Sequence, residues 1–289
     1  MVISSLQNAR VKQLVLLQQK SQERRRTGLF VVEGRRELQQ CIDAGYEVEE
    51  VWVVSGGGLK VEGDGRTPQG QQHSSLHPQP STFNLQPSTI YHVTPAVYEK
   101  IAYRGSTEGI IGVVRERPMT LDALTQLPSF GEGGGGSSPL IVVLESVEKP
   151  GNLGAVLRSA DAAGADAVIV CDPLTDLYNP NLIRASLGAR FSVPTIACTS
   201  EECISFFKQN NIRILTAQLQ DSKLYYDTDM RCPTAIVMGT ESTGLTDLWR
   251  RAADAHIRIP MLGRMDSLNV SVSAAILLFE AVRQRQNAV

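Results

Sequence analysis

Long hydrophobic runs are missing from this sequence. In its 289 residues no apolar stretch approaches the roughly 18 to 20 residues that a membrane-spanning helix needs, and residues 1–10 do not combine a basic start with an apolar segment as a secretion signal does. We therefore expect a cytoplasmic protein with no membrane partner. With 42% hydrophobic and 20% charged residues, the composition is typical of a globular chain, and the length predicts two domains or one large one.

Cysteine and histidine are also sparse. The four histidines include His73 and His77, whose H-x-x-x-H spacing falls among Ser, Pro and Gln residues that cannot hold a metal rigidly. The cysteines are odd in number and contain no C-x-x-C pair, which argues against both a disulfide framework and a zinc cluster. We therefore predict no metal site and buried apolar roles for all five: Cys41, Cys171, Cys198, Cys203 and Cys232.

Basic residues are concentrated near the start of the chain. The whole sequence carries 28 basic and 30 acidic side chains, a net charge of −2. Residues 1–36 hold eight basic and two acidic side chains, or +6, which leaves −8 for the remainder. Such a basic segment is typical of a surface that binds phosphate groups. The alternative interpretation is a basic helix face that is exposed to solvent and binds no partner. The candidate side chains for contact with the phosphate groups of a nucleic acid are Arg10, Lys12, Arg24, Arg25, Arg26 and Arg35.

Two low-complexity stretches divide the chain. In residues 56–90, Gly, Pro, Gln, Ser and Thr make up 22 of 35 residues, which predicts a loop or disordered insertion. Residues 131–138 contain five glycines in eight, which is typical of a linker. We therefore predict a first domain over 1–118 with the insertion at 56–90, a linker over 119–139 and a second domain over 140–289.

Apolar runs alternate with helical patterns in both predicted domains, so the fold class is α/β. In the first domain we predict helices at 8–20, 35–44 and 95–102, and strands at 29–33, 48–54, 90–93 and 109–114. In the second domain the runs at 140–144, 167–171, 212–217 and 235–239 have the apolar character of buried parallel strands. A final helix is predicted at about 269–284.

Three segments of the second domain follow or include predicted strand ends, where parallel sheets bind ligands. The first, ESVEKPGNLGAVLR, ends at Arg158; we expect Asn152 to cap a helix and Gly154 to permit close backbone approach. It lacks the G-x-G-x-x-G of a Rossmann dinucleotide site and the Gly-Lys-Ser/Thr of a P-loop. Alone, it is equally consistent with an ordinary strand-to-helix turn that carries a surface arginine.

The other two segments offer glycines and hydroxyl groups. In IVMGTESTGL, Gly239 and Gly244 flank Glu241, and glycines there allow a ligand to lie against the backbone. In IRIPMLGRMDSLNVSVS, which covers 257–273, a turn-rich loop leads into a helix with Ser and Asn in its first turn. The alternative for this segment is N-capping of a helix that packs in the core.

The three patterns occur in the order N-x-G-x-x-x-R, M-G-x-E-x-x-G-L and I-P-M-x-G-x-x-x-S-L-N-V-S-V. In this order they resemble the motifs of the SpoU, or TrmH-type, RNA 2'-O-methyltransferases of the SPOUT superfamily, over roughly residues 140–286. The basic first domain is similar to the substrate-binding domain, related to small ribosomal proteins, that often precedes this catalytic domain.

The resemblance implies a parallel-sheet domain with a deep trefoil knot, an exception to the rule that chains do not knot. It also implies S-adenosylmethionine as cofactor, an RNA substrate with rRNA favoured over tRNA, and a homodimer. The implied catalytic residues are Asn152, Arg158, Glu241, Ser267 and Asn269. The implied cofactor-binding residues are Leu215, Thr216, Ala217, Met238, Gly239, Gly244, Ile259, Met261 and Leu268.

Two other classes of function remain open. One is a non-catalytic RNA-binding protein that retains the SPOUT fold, against which the presence of Asn152, Arg158, Glu241 and Asn269 argues. The other is a small-molecule enzyme with a nucleotide cofactor on a Rossmann sheet, which the missing glycine pattern and the basic first domain disfavour. The implied reaction needs no metal, because the sulfonium already activates the methyl group.

Overall fold

The computed structural model describes residues 2–56, 89–103, 108–130, 138–240 and 243–286. Between Arg117 and Pro118 the chain divides into two compact units. Most of the predicted insertion and the glycine-rich part of the predicted linker lie outside the described residues. Within the described ranges, no helix has both the length and the apolar character needed to cross a membrane.

The first unit is a mixed sheet with helices. Its sheet has the order β1-β4-β3-β5-β2, in which β5 runs antiparallel to both β2 and β3. Tight packing of α1 and α4 on the sheet buries Leu14, Leu17, Trp52 and Ile101 almost completely. The elements are β1 (Val2–Ile3), α1 (Ala9–Gln19), α2 (Ser21–Thr27), β2 (Leu29–Glu33), α3 (Arg35–Asp43), β3 (Val48–Val54), β4 (Thr89–Val93), α4 (Pro95–Ile101) and β5 (Ile110–Arg115).

The second unit contains a seven-stranded sheet in which every paired strand is parallel. The strand order is β10-β12-β9-β11-β6-β7-β8. Its elements are α5 (Leu121–Leu124), β6 (Leu140–Glu145), α6 (Pro150–Ala163), β7 (Ala167–Cys171), α7 (Pro180–Ala185), α8 (Ala189–Ser192), β8 (Thr195–Cys198), α9 (Ser200–Gln209), β9 (Arg213–Ala217), β10 (Lys223–Leu224), β11 (Thr234–Met238), α10 (Asp247–Ala252), β12 (Ala255–Arg258) and α11 (Val270–Gln286).

Two cores lie on opposite faces of this sheet. On β6, Val142 and Leu144 belong to the core that contains α6 and α11, whereas Ile141 and Val143 belong to the core that contains α9 and α10. This alternation follows from the two-residue period of a strand. The order of the strands reverses between β6 and β11, so their carboxyl ends form the kind of crevice in which α/β sheets bind ligands.

The predicted linker differs from the structure over residues 119–130. Leu124 of α5 is fully buried in the core beside α9, and Met119, Leu121 and Phe130 pack against the same core. This segment is therefore part of the second unit, because its apolar side chains cover a face of the sheet. The strands and helices predicted by range were found, whereas β1, α2, α5, β8, β10 and β12 had not been predicted. The helices between the strands of the second unit had been expected without bounds.

Candidate active site

The three motif segments meet at one cleft of the second unit. The cleft, of about 130 Å³, opens where the carboxyl ends of β6 and β11 approach the first turns of α6 and α11. Glu145 and Asn152 line it from the first segment, Gly239 and Thr240 from the second, and Val270 from the third. Three segments that are separated by 87 and 30 residues in the sequence thus share one concave surface.

Two predicted catalytic side chains are in contact at this cleft. The Asn269 side-chain amide donates a hydrogen bond from Nδ2 to Oδ1 of Asn152, at 3.2 Å. Asn269 also accepts hydrogen bonds at Oδ1 from the backbone N–H of Ser271 (2.9 Å) and its hydroxyl (2.6 Å), so it is held at the start of α11. Residues 117 positions apart are thereby fixed relative to each other.

The predicted capping role of Asn152 is wrong. Helix α6 begins at Pro150, and its N-cap residue is Lys149, so Asn152 lies inside the first turn. Proline favours this first helical position because its fixed φ suits the helix and its missing N–H would have had no partner within it. Instead of capping the helix, Oδ1 of Asn152 accepts the hydrogen bond from Asn269.

Arg158 lies further along α6 on an exposed position. Its guanidinium makes no hydrogen bond or ion pair with any residue that the structure describes. The helix is held in place by the close approach predicted at Gly154: a Cβ there would lie 2.5 Å from the Cβ of Ala185 and 2.8 Å from its carbonyl carbon. The approaching backbone belongs to the end of α7, and the arginine is left open to a substrate.

The turn after β11 folds back on itself. Thr240 and Gly244 exchange two backbone hydrogen bonds, of 3.2 and 3.1 Å, and the Thr243 N–H donates to Oγ1 of Thr240 at 3.0 Å. A Cβ at Gly239 would stand 2.2 Å from the backbone of Gly244. The position of a Cβ at Gly239 is therefore occupied by the backbone of Gly244, while the backbone of Gly239 still lines the cleft. Gly244 has a left-handed φ of +68°, which favours glycine. The predicted site residue Glu241 lies outside the described residues.

A buried carboxylate that the sequence did not single out anchors this turn. Glu145, at the end of β6, is only 4% exposed. Its two carboxylate oxygens accept hydrogen bonds from the backbone N–H of Thr246 at 2.9 Å and from its hydroxyl at 2.6 Å. The signal in the sequence was an acidic residue that directly ends an otherwise apolar strand.

The residues implied to hold a cofactor divide into buried and accessible groups. Leu215 and Thr216 of β9 are completely buried, and Oγ1 of Thr216 lies 2.6 Å from Nδ1 of His256. Met238 is 3% exposed and packs in the core. These side chains are not accessible, whereas Ala217 and Ile259, where β9 and β12 end, are partly exposed.

The loop between β12 and α11 is exposed and partly apolar. Met261 is half-buried, whereas Leu268 is 38% and Met265 74% exposed. Ser267 donates a hydrogen bond to the neighbouring Asp266 at 3.2 Å, and it makes no hydrogen bond with the Asn152–Asn269 pair. In this loop, apolar side chains suit an aromatic ring, and the backbone N–H and C=O groups suit polar atoms. S-adenosylmethionine contains both an aromatic and a polar part.

One of the six basic candidates of the first unit has a structural role. Arg24 is 3% exposed, and its guanidinium donates hydrogen bonds to the carbonyl oxygens of Leu17 (2.6 Å) and Gln18 (3.1 Å) near the end of α1. The prediction that Arg24 meets RNA is therefore wrong. The side chain satisfies carbonyl groups that a helix end leaves without intrahelical partners.

The other basic candidates are accessible to different degrees. Lys12 and Arg25 are exposed. Arg26 donates two hydrogen bonds to Glu23 and lowers the pKa of that carboxyl to about 2, with a further contribution from Gln13. Cζ of Arg10 lies 4.9 Å from the centroid of the Tyr91 ring, and Nη1 of Arg10 lies 3.7 Å from Oε1 of Glu50. Arg35 is half-buried at the start of α3.

Comparison with protein families gives one match for each unit. Residues 139–279 match the SpoU rRNA Methylase family, and residues 8–112 match the MRM3-like substrate binding domain. The first range includes the cleft and the loops around it.

Individual relatives agree with these matches. A Photobacterium profundum protein named 23S rRNA (guanosine-2'-O-)-methyltransferase RlmB is 36% identical over 75% of this chain and 87% of its own. Two other relatives with this name match over a shorter stretch. The chain spans 60% of the length of one and 62% of the length of the other.

Two solved structures are similar over nearly the whole chain. An RNA 2'-O ribose methyltransferase is 38% identical with a TM-score of 0.76, over 99% of this chain and 100% of its own. An AdoMet-bound rRNA methyltransferase from Sinorhizobium meliloti is 26% identical with a TM-score of 0.79, over 98% and 97%. The extent and identity of these matches show that the chain belongs to the SpoU rRNA methylase family.

Proposed function

We propose that this protein transfers the methyl group of S-adenosylmethionine to a ribose 2'-hydroxyl of 23S rRNA, and that the methylated nucleotide is a guanosine. The observation that carries the proposal is the meeting of three motif segments at one cleft, with Asn152 and Asn269 joined there and Arg158 exposed on the same helix. The target RNA and nucleotide are suggested by the name of the bacterial relatives.

The cleft is suited to the target ribose and not to the cofactor. Its volume of about 130 Å³ is below the roughly 300–1000 Å³ of pockets that enclose a drug-sized ligand. We assign the cofactor to the adjoining loops after β9, β11 and β12, where Ala217, Thr240, Ile259, Met261 and Leu268 lie. When bound there, S-adenosylmethionine supplies a methyl group that its sulfonium has already activated.

The task of the protein in this reaction is alignment. The Asn152–Asn269 pair fixes two amides at the cleft, and these amides orient the ribose so that its 2'-oxygen points at the cofactor loops. Arg158 stabilises the negative charge that develops on that oxygen, as positioned donors do in acyl and phosphoryl transfer. Because a guanidinium stays protonated in proteins, the 2'-hydroxyl proton passes to a neighbouring phosphate and not to the arginine.

The first unit would hold the RNA substrate. Exposed Lys12 and Arg25 lie on α1 and α2 and are available to phosphate groups. The match of residues 8–112 to a substrate binding domain supports this role, and the mixed α/β sheet is compatible with a relationship to small ribosomal proteins.

Three further features complete the proposal: a cytoplasmic location, a knotted second unit and a homodimer. The knot is supported by the path of the chain, because α11 follows β12 but packs on α6, beyond β9 and β11. The dimer is supported by exposed apolar side chains seven residues apart on one face of α11, Val272 and Phe279.

The reaction itself is the test of this proposal. The purified protein is incubated with S-adenosylmethionine and 23S rRNA from cells that lack its gene, and the RNA is digested to nucleosides. We expect 2'-O-methylguanosine to form with the wild-type protein and not with Arg158→Ala. A methyl group on the base would contradict the reaction class. RNA binding without methyl transfer would favour the non-catalytic alternative.

A further inference from the structure

Three cysteine side chains converge on the face of the second sheet opposite α6 and α11. Cys171 ends β7, Cys198 ends β8, and Cys203 lies in the first half of α9. The sulfur atoms all lie within 4.8 Å of one another, and those of Cys171 and Cys198 are 3.9 Å apart. Cys171 and Cys203 are buried, whereas Cys198 is partly exposed.

The fold, and not a sequence motif, produces this cluster. Cys171 and Cys198 are direct partners in the pairing of β7 with β8, and α9 starts immediately after β8, which brings Cys203 back over the strand ends. The spacings of 27 and 5 residues resemble no zinc pattern. The sequence therefore argued against a metal site, since the register of two parallel strands was not known.

The sulfur atoms of Cys171 and Cys198 are spaced as two ligands of one ion are, and the sulfur of Cys203 lies within 4.8 Å of both. In a tetrahedral zinc site the Zn–S distance of about 2.3 Å places two sulfurs about 3.8 Å apart, close to the 3.9 Å between Cys171 and Cys198. The three thiols come from two strands and a helix that are all fixed by the core. A disulfide between any two of them would leave the third without a role.

We propose that Cys171, Cys198 and Cys203 form a binding site for a thiophilic divalent cation of the zinc class. The three sulfurs bind as thiolates, and their protons pass to solvent as the ion enters. A water molecule takes the fourth position on the side of the partly exposed Cys198. The site begins on the strand beside the cleft, because Cys171 pairs in register with the cleft-lining Glu145. We assign the ion a structural role, in which it ties β7 and β8 to α9.

The simpler alternative is that the thiols are packing residues. Two of them belong to the same core as Phe206, Phe207 and Trp249, and free cysteine is often buried as a small apolar side chain. Packing alone predicts no affinity for metal. The two interpretations therefore differ in a quantity that can be measured on the whole protein.

Cobalt(II) is the probe for this site, because thiolate coordination gives it a charge-transfer band in the near ultraviolet and tetrahedral geometry gives it strong visible bands. The reduced, metal-free full-length protein is titrated with Co²⁺ and then with Zn²⁺. We expect both sets of bands to saturate at one Co²⁺ per chain and to be lost when Zn²⁺ displaces it. A zinc concentration a hundredfold above its Kd should raise the Tm by roughly 5 °C or more.

Matched variants locate the site. Cys198→Ser, at the partly exposed position, should weaken Co²⁺ binding by at least roughly tenfold, whereas Cys232→Ser and the buried Cys41→Ser should bind as the wild type does. Absence of the bands in the wild type would overturn the proposal without reference to any variant. Equal binding by Cys198→Ser and the wild type would also overturn it, provided that circular dichroism shows both to be folded.

Discussion

Substitution of Gly154 tests how α6 is positioned. In Gly154→Ala the new Cβ would stand 2.5 Å from the Cβ of Ala185, 2.8 Å from its carbonyl carbon and 2.9 Å from the N atom of Ser186. Backbone atoms of α7 cannot yield as the end of a flexible side chain can, so α6 must move. That movement displaces Asn152, which lies two residues earlier on the same helix.

Two opposing contributions determine the expected change in the free energy of unfolding of Gly154→Ala. Overpacking of a core contact costs about 1–3 kcal/mol, and replacement of a helical glycine by alanine contributes about 0.5–1 kcal/mol of stability. The two ranges leave a net loss of up to about 2.5 kcal/mol, which lowers the Tm of a unit of this size by up to roughly 10 °C. Methyl transfer should fall more steeply, because a shift of about 1 Å at catalytic groups can cost a hundredfold in rate.

Gly151 provides the matched control. It lies on the same helix, three residues earlier, and a Cβ there meets nothing within 4 Å. Gly151→Ala should therefore retain or slightly raise the Tm. Calorimetry gives the Tm of both variants, and methyl transfer by both is measured at a temperature below their transitions. If Gly154→Ala equals Gly151→Ala in both measurements, the account of the α6–α7 contact is wrong.

Three further predictions concern charged residues. Arg158→Ala should abolish methyl transfer and leave calorimetric cofactor affinity nearly unchanged; a comparable loss in both would assign the arginine to the cofactor. Glu145→Ala removes two hydrogen bonds to a carboxylate and should lower the free energy of unfolding by about 3 kcal/mol, which denaturant titration measures; an unchanged midpoint would contradict its anchoring role. Neutralising Lys12 and Arg25 together should reduce the slope of log K for RNA association against log salt by about 1.4, at roughly 0.7 per phosphate contact on a single strand. Arg24→Gln should instead lower the free energy of unfolding. An unchanged slope in filter binding would indicate a solvated helix face.

Much of the fold followed from the sequence because buried parallel strands have a strong local signal. The strands Leu29–Glu33, Val48–Val54 and Ala167–Cys171 were predicted to the residue. In contrast, β8 and β12 have four residues each, and Ala255–Arg258 contains polar side chains that conceal its strand character. Helix α2 was missed because its sequence is almost entirely polar and depends on a few contacts for its stability.

The site was predictable in composition but not in contacts. Three segments at strand ends were identified from glycines and polar residues, and two of their amides do meet, yet the pairing of Asn152 with Asn269 depends on topology that no local pattern encodes. Likewise, three consecutive arginines look alike in sequence. Only the geometry of α1 and α2 separates buried Arg24 from exposed Arg25.

Mapping of 2'-O-methyl groups in cells tests whether this protein methylates a ribose of 23S rRNA. All 2'-O-methyl positions in total RNA are compared between cells with the gene, cells without it and cells complemented with Arg158→Ala. We predict that one guanosine of 23S rRNA loses its 2'-O-methyl group without the gene and does not regain it with the variant. An unchanged methylation pattern, or a change confined to tRNA, would contradict the account.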